Sequence, residues 1–233
     1  MDSGTIVVTG AGRGLGRGVS EHFAKAGWRV LAGARDPGTA PPGEGVHPVE
    51  LDVSRPAHIV RLATLIGADP VDVLVNAAGV FDGPQAGLDD VRRETMIEEF
   101  TVNALGPLEM ARALLPALRR GSGRTIVNVS GLMGSMGLNE DGGNYAYRAS
   151  KAALNAISRS LALDLAEDGI AVICLHPGWL DTDMGRSWSD PHPGRHQKVS
   201  VADVAADIHR LLNDPGTDRD GRFIDHKGAS LPW

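Results

Sequence analysis

This 233-residue sequence has one cysteine, two tyrosines and four lysines. Each scarcity excludes something. A lone Cys174 cannot close an internal disulfide, so no disulfide framework holds the fold. No stretch approaches the ~20 apolar residues of a membrane-spanning helix. The opening residues, Met1 to Thr5, lack the basic and apolar regions of a secretory signal. Basic residues are outnumbered 23 to 29, giving a net charge of -6. A general nucleic-acid partner needs the opposite balance. What is present, 42% hydrophobic and 22% charged residues, is the mixture of an ordinary globular chain. The expectation is a cytoplasmic protein with neither membrane nor nucleic-acid partner.

Short runs rich in valine and isoleucine recur along the chain: Thr5–Thr9, Arg29–Ala34, Val46–Leu51, Val71–Asn76, Arg124–Ser130, Ile170–His176 and Arg222–Asp225. Several are continuously apolar, as strands buried on both faces of a parallel sheet must be. Between them lie the helical stretches Leu15–Gly27, Pro56–Ile66, Asp89–Arg120 (read as two helices), Asn144–Asp168 and Ser200–Asn213. Gly27 and Gly169 sit where helix-ending glycines belong, and Ser200 with Asp203 forms a helix-starting pair. This order predicts the α/β class: one domain, residues 1–233, with a doubly wound parallel sheet of about seven strands and helices on both faces.

The first strand runs into Thr9-Gly10-Ala11-Gly12-Arg13-Gly14-Leu15-Gly16 and then a helix. Glycines let the backbone turn tightly and approach a pyrophosphate, while the helix start offers free N–H groups. The spacing is T-G-x-x-x-G-x-G; in the commoner G-x-G-x-x-G the third glycine would fall on Leu15 or Arg17. The second strand should end beside the adenosine ribose, where an acid selects NAD and a base accommodates the 2′-phosphate of NADP. Here the tip reads Gly33-Ala34-Arg35-Asp36, and Arg13 adds a second positive charge. NADP(H) is favoured; a shift of one residue would bring Asp36 into place and NAD(H) with it.

Tyr147 and Lys151 stand four apart and so share one helix face. A phenol with a free pKa of ~10 is a poor acid at neutral pH, and a cation one turn away is expected to lower it. The lysine can also reach a cofactor ribose. Ser130 closes the fifth strand, at the sheet edge where ligands of such folds sit, and can hydrogen-bond a carbonyl. Asn103 falls inside a long helical region, where a polar residue marks either a water-holding relay or a kink.

Together these residues, with Asn76-Ala77-Ala78-Gly79 and Pro177-Gly178-Trp179-Leu180-Asp181-Thr182, resemble the short-chain dehydrogenase/reductase family over essentially the whole chain. The segment Asn144–Lys151, the Pro-Gly-Trp and the final Leu231-Pro232-Trp233 are similar, more narrowly, to the C-factor/sniffer-like carbonyl reductases. The resemblance implies a catalytic tetrad of Asn103, Ser130, Tyr147 and Lys151. It implies cofactor contacts from Gly10, Arg13, Gly14, Leu15, Gly16, Arg35, Asp52, Val53, Asn76, Ala77, Ala78, Gly79, Tyr147, Lys151, Pro177, Gly178, Leu180 and Thr182. Adenine would meet Asp52 and Val53, and nicotinamide the Pro177–Thr182 segment. The implied substrate is a small carbonyl compound or alcohol, and the family's pairing of the Tyr147 helix makes a homodimer or homotetramer an open expectation.

The chain also departs from the family. Ala77 replaces a polar residue, which predicts one local hydrogen bond lost. Ser130 and Tyr147 are 17 apart, a few more than usual, which predicts a longer loop over Gly137–Gly143 at the pocket rim. The substrate-covering segment 183–198 is short and polar, with Trp188, His192 and His196 in it and His176 near it. Pro193 and Gly194 separate His192 from His196 and no carboxylate pattern accompanies them, so no metal site is expected. Cys174 reads as a small buried apolar residue. Two functions follow: a reductase using the full tetrad, or a dinucleotide-binding signalling or sensor protein with little turnover, which would need the glycines but not Tyr147 or Ser130.

Overall fold

Seven apolar segments line up as parallel strands in a computed structural model that describes residues 3–85, 87–187, 197–214, 216 and 220–233. In chain order the elements are β1 (Thr5–Thr9), α1 (Gly14–Lys25), β2 (Arg29–Ala34), β3 (Val46–Glu50), α2 (Pro56–Ile66) and β4 (Val73–Asn76). Then come α3 (Arg93–Phe100), α4 (Gly106–Arg120), β5 (Thr125–Val129), α5 (Tyr145–Asp164), β6 (Ala171–His176), β7 (Trp179–Leu180), α6 (Asp183–Ser187), β8 (Lys198–Val199), α7 (Val201–Asn213) and β9 (Asp220–Asp225). The large sheet runs β3-β2-β1-β4-β5-β6-β9, and every pairing in it is parallel. The Rossmann-type arrangement read from the sequence is what the chain adopts.

The continuous apolar runs are explained by a core on each face. Because successive strand residues point oppositely, Ile6 and Val8 join Leu15, Phe23 and Trp28 beside α1 and α7. Val7, between them, joins Ile59, Leu62, Met110 and Leu114 beside α2 and α4. Each fully buried side chain of this size contributes ~1.5–3 kcal/mol by leaving water. The edge strand β3 breaks the pattern. It carries the exposed pair His47 and Pro48, and an edge tolerates a proline that a central strand would not.

The departures from the sequence reading are local. β4 begins at Val73 because the Asp72 carboxylate is committed to a clasp, accepting from the backbone N–H groups of Thr5, Ser122 and Gly123. α5 stops at Asp164 where Leu165–Gly169 turns back. The expected pair of helices over 89–120 is joined by one π-helical turn, Thr101–Leu105. Within the segment read as a polar cover α6 forms, and β8 at its end pairs with β7, which precedes it, in a separate two-stranded sheet. Trp188, His192 and His196 lie outside the described residues.

Candidate active site

The C-terminal edge of the sheet is built in register. Thr9, Asn76, Asn128 and Cys174 occupy one row across β1, β4, β5 and β6. Buried polar side chains tie this row together, as burial demands: Asn76 Nδ2 donates to Asn128 Oδ1, and Asn128 Nδ2 to Ser158 Oγ on α5. Thr9 Oγ1 accepts from the Ala78 N–H and so pins Asn76–Gly79 beside the Gly-rich turn. Gly10, at φ +71°, lies so close to that segment that a Cβ would come within 2.8 Å of Ala78 Cα. Asn76 Oδ1 is buried with no hydrogen-bond partner among the described residues, in the neighbourhood where Ala77 predicts a lost bond.

The turn fits a dinucleotide. Gly16 is packed against its start, where a Cβ would stand 2.4 Å from Gly10 O. Arg13 precedes α1 in extended conformation, no side chain caps the helix, and its first turn holds no acid. The leading N–H groups and the positive end of the helix dipole are therefore open to phosphate. Thr182 reaches over the turn, its Cγ2 3.5 Å from where a Gly14 side chain would begin. Leu15 is buried in the core, so it offers backbone alone. At the tip of β2, Ala34 is buried and Arg35 exposed. Asp36, the neighbour that could have reversed the cofactor reading, accepts from the Gly38 N–H and caps the short turn Pro37–Thr39. Asp52 is engaged by Ser54 and by the Arg55 guanidinium, while Val53 packs against Gly106 in the core.

Across the sheet edge lie the four side chains expected to form a tetrad. The π turn buries Asn103, whose amide clasps Val80 on both sides: Oδ1 accepts from Val80 N–H and Nδ2 donates to Val80 O. Nδ2 also meets Ser150 Oγ at 3.0 Å. A side chain on Gly79 would begin 3.3 Å from Asn103 Oδ1 and 3.8 Å from Lys151 Nζ, so the Gly79 backbone lies against both groups. Lys151 is buried, donates to Val129 O at 2.8 Å, and sits 5.7 Å from the Tyr147 ring centre. Tyr147 is half-buried, edge-on to Phe81, with its hydroxyl 3.7 Å from where a Gly131 side chain would begin. Tyr145 on the same helix is exposed.

The electrostatics correct one expectation. The Tyr147 pKa does not move toward neutral pH in this state: burial, seconded by the charge of Glu99, pushes the phenol above its ordinary value. Lys151 itself is pushed down to about 8 by burial, against support from Cys174 and Glu99. Burial penalises the charged form of both groups, and the Lys151 ammonium is turned to the Val129 carbonyl. Cys174 is buried as expected, its thiol raised to about 12 by desolvation, and it contacts Asn155 Oδ1 at 3.2 Å.

Two residues of the site escaped the sequence reading. Asn155 Oδ1 accepts from Ser130 Oγ at 2.5 Å, and its amide donates to Gly134 O, which fixes its orientation. A carbonyl entering the site therefore competes with Asn155 for the one serine proton. The signal was available, since Tyr147, Lys151 and Asn155 step along one helix face at i, i+4 and i+8. The second is Glu99, buried one turn before Asn103.

Ser130 and Tyr147 open together into a cavity of about 530 Å³, within the range of small-molecule sites. Phe81, Leu132, Met133, Leu138, Trp179 and Met184 give it apolar walls, and Glu140–Gly143 of the lengthened loop form part of its rim. Pro177, Gly178, Leu180 and Thr182 line it too, with Thr182 close to the Gly-rich turn. Among the described residues no cluster of His, Cys, Asp and Glu could hold a metal ion, and no helix is long and apolar enough to cross a membrane.

Comparison with known proteins agrees with this geometry. Residues 4–193 match the family profile described as short chain dehydrogenase. The chain is 43% identical over 171 residues to C-signal of Myxococcus xanthus, spanning 73% of this chain and 98% of that one. The NADPH-bound carbonyl reductase from chicken fatty liver superposes with a TM-score of 0.84 at 29% identity, over 98% of each chain. The carbonyl reductase Sniffer of D. melanogaster does so with 0.84 at 28% identity, over 100% of each. Sheet, Gly-rich turn and sequence profile together make this chain a member of the short-chain dehydrogenase/reductase family of oxidoreductases.

Proposed function

We propose that the protein is an NADP(H)-dependent carbonyl reductase acting on a ketone or aldehyde, or on the matching secondary alcohol in reverse. The observation that carries this reading is the opening of Ser130 and Tyr147 into one apolar-walled cavity with Lys151 directly behind. Bound NADPH supplies the hydride. Ser130 turns its hydroxyl from Asn155 to the substrate oxygen, and Tyr147 gives that oxygen its proton. Lys151 holds positive charge next to the phenol and replaces the proton lost, while Asn103 fixes the Val80 backbone that borders both. Gly10, Gly14 and Gly16 would hold the pyrophosphate, Arg13 and Arg35 the 2′-phosphate, and Asp52 with the Val53 backbone the adenine. Asn76–Gly79 and Pro177–Thr182 would flank the ribose and nicotinamide. The committed Asp36 carboxylate and the NADPH-bound neighbour both support NADP(H) over NAD(H).

The likeness to C-signal favours one other reading, a dinucleotide-binding signalling protein with little turnover. The test is NADPH and NADH oxidation against a panel of ketones, aldehydes and quinones. Turnover preferring NADPH supports the reductase. NADPH binding by calorimetry with no turnover on the whole panel rejects it in favour of the signalling protein.

A further inference from the structure

Glu99 is a carboxylate with no structural need to be charged. It is 2% exposed and lies on α3, which packs against α5. One oxygen, Oε1, accepts from the Asp82 N–H at 2.8 Å; the other, Oε2, is buried with no hydrogen-bond partner among the described residues. A buried carboxylate half-satisfied in this way costs stability unless it takes up a proton or faces an opposite charge. Its surroundings supply the opposite charge. The loop Gly79–Asp82, to which its Oε1 is bonded, is the same one clasped by Asn103 and bordered by Lys151 and Tyr147.

We infer that Glu99 is an ionising positioning residue of the active site, the buried counter-charge that the Gly79–Asp82 loop holds beside Lys151. Charged groups around it come from three sides. Asp82, ion-paired with Arg92, lies on the loop; Glu98 lies on its own helix; Lys151 and Tyr147 lie on α5. Cys174 of β6 faces Lys151 too, but with its thiol raised to about 12 it is uncharged where the lysine titrates. Burial, with Asp82 and Glu98 behind it, raises the Glu99 carboxyl, and the backbone N–H of Asp82 together with Lys151 opposes them. A negative charge here raises the pKa of both neighbours, so removing it lowers both. The alkaline limb of reduction, which needs lysine charged and tyrosine protonated, then moves to lower pH. This consequence for turnover rests on the reductase reading; the effect on Lys151 does not.

The experiment is therefore a titration that needs no substrate. With ¹³C-lysine labelling the chain gives only four side-chain Cε resonances, and Lys151→Met assigns the relevant one. The wild type should titrate near 8, Glu99→Gln about one pH unit lower, and Glu99→Asp near the wild-type value. The alkaline limb of NADPH-dependent turnover should follow the same order. A Lys151 midpoint unmoved in a folded Glu99→Gln variant overturns the inference. Should that variant not fold, the wild-type Lys151 resonance must show a second step where Glu99 protonates, and its absence is equally fatal. A shifted midpoint in a protein that turns over nothing would sink the reductase reading and leave this one standing.

Discussion

Replacing Lys151 by methionine should stabilise the protein while disabling it. The lysine is 4% exposed and its ammonium is pushed from an ordinary 10.5 to about 8, first by burial. At 1.36 kcal/mol per pH unit, holding the charge there costs about 3 kcal/mol at neutral pH. Methionine fills similar volume without that cost, but it strands the Val129 carbonyl, which returns about 1 kcal/mol of it. Glu99 also loses its counter-charge, which trims the gain further. The expected balance is a gain of about 1–2 kcal/mol, or a melting temperature several degrees higher for a chain of this length. The sign with pH follows from the direction of the shift. The folded state releases the lysine proton earlier than the unfolded state, so the unfolded state binds more protons between about 8 and 10.5. Wild-type stability should therefore rise across that window, and the penalty is fully present below it. Urea denaturation of both proteins at pH 7 and 9.5 measures this. A methionine variant less stable than wild type by more than ~1 kcal/mol at pH 7, or a wild type whose stability does not rise by pH 9.5, refutes the reasoning.

Other outcomes follow from the same contacts. Gly16→Ala places a methyl 2.4 Å from Gly10 O; it should cost about 1–3 kcal/mol of stability and weaken NADPH binding at least roughly tenfold, read by calorimetry. Arg35→Ala should weaken NADPH by about 1–2 kcal/mol of charge-assisted bonding and leave NADH nearly unchanged, and equal losses for both cofactors would contradict the assignment. His22 and His209 share a 3.0 Å hydrogen bond between α1 and α7, and burial, then His209 and Lys25, lowers the His22 pKa. Neutral His22 is the form the fold prefers, so stability should be present above its ordinary 6.5 and fall as pH drops below it. His22→Leu should flatten that acid limb in denaturation curves.

Much of this was legible in the chain because it is local. Apolar runs such as Ile6–Val8 mark strands buried on both faces, and Tyr147 with Lys151 need only one helix turn to meet. Asn103 was readable as a kink or a relay residue, and it proves to sit in a π turn that buries its amide. What stayed hidden depends on contacts between distant segments. Nothing in Glu98-Glu99 says which carboxylate is exposed and which buried. The pairing of β7 with β8 joins Trp179 to Lys198 across a polar stretch without strand periodicity. The sign of the Tyr147 shift differs from the expectation for the same reason: spacing reveals the nearby cation, but not the burial that raises the phenol.

The central claim is that Tyr147 delivers the proton, and Tyr147→Phe tests it most directly. The variant keeps the ring against Phe81 and removes only the hydroxyl. NADPH should bind within about threefold of wild type, while kcat for carbonyl reduction falls by about 10²–10⁴, the contribution of a positioned general acid. Turnover retained at the wild-type rate would contradict the account.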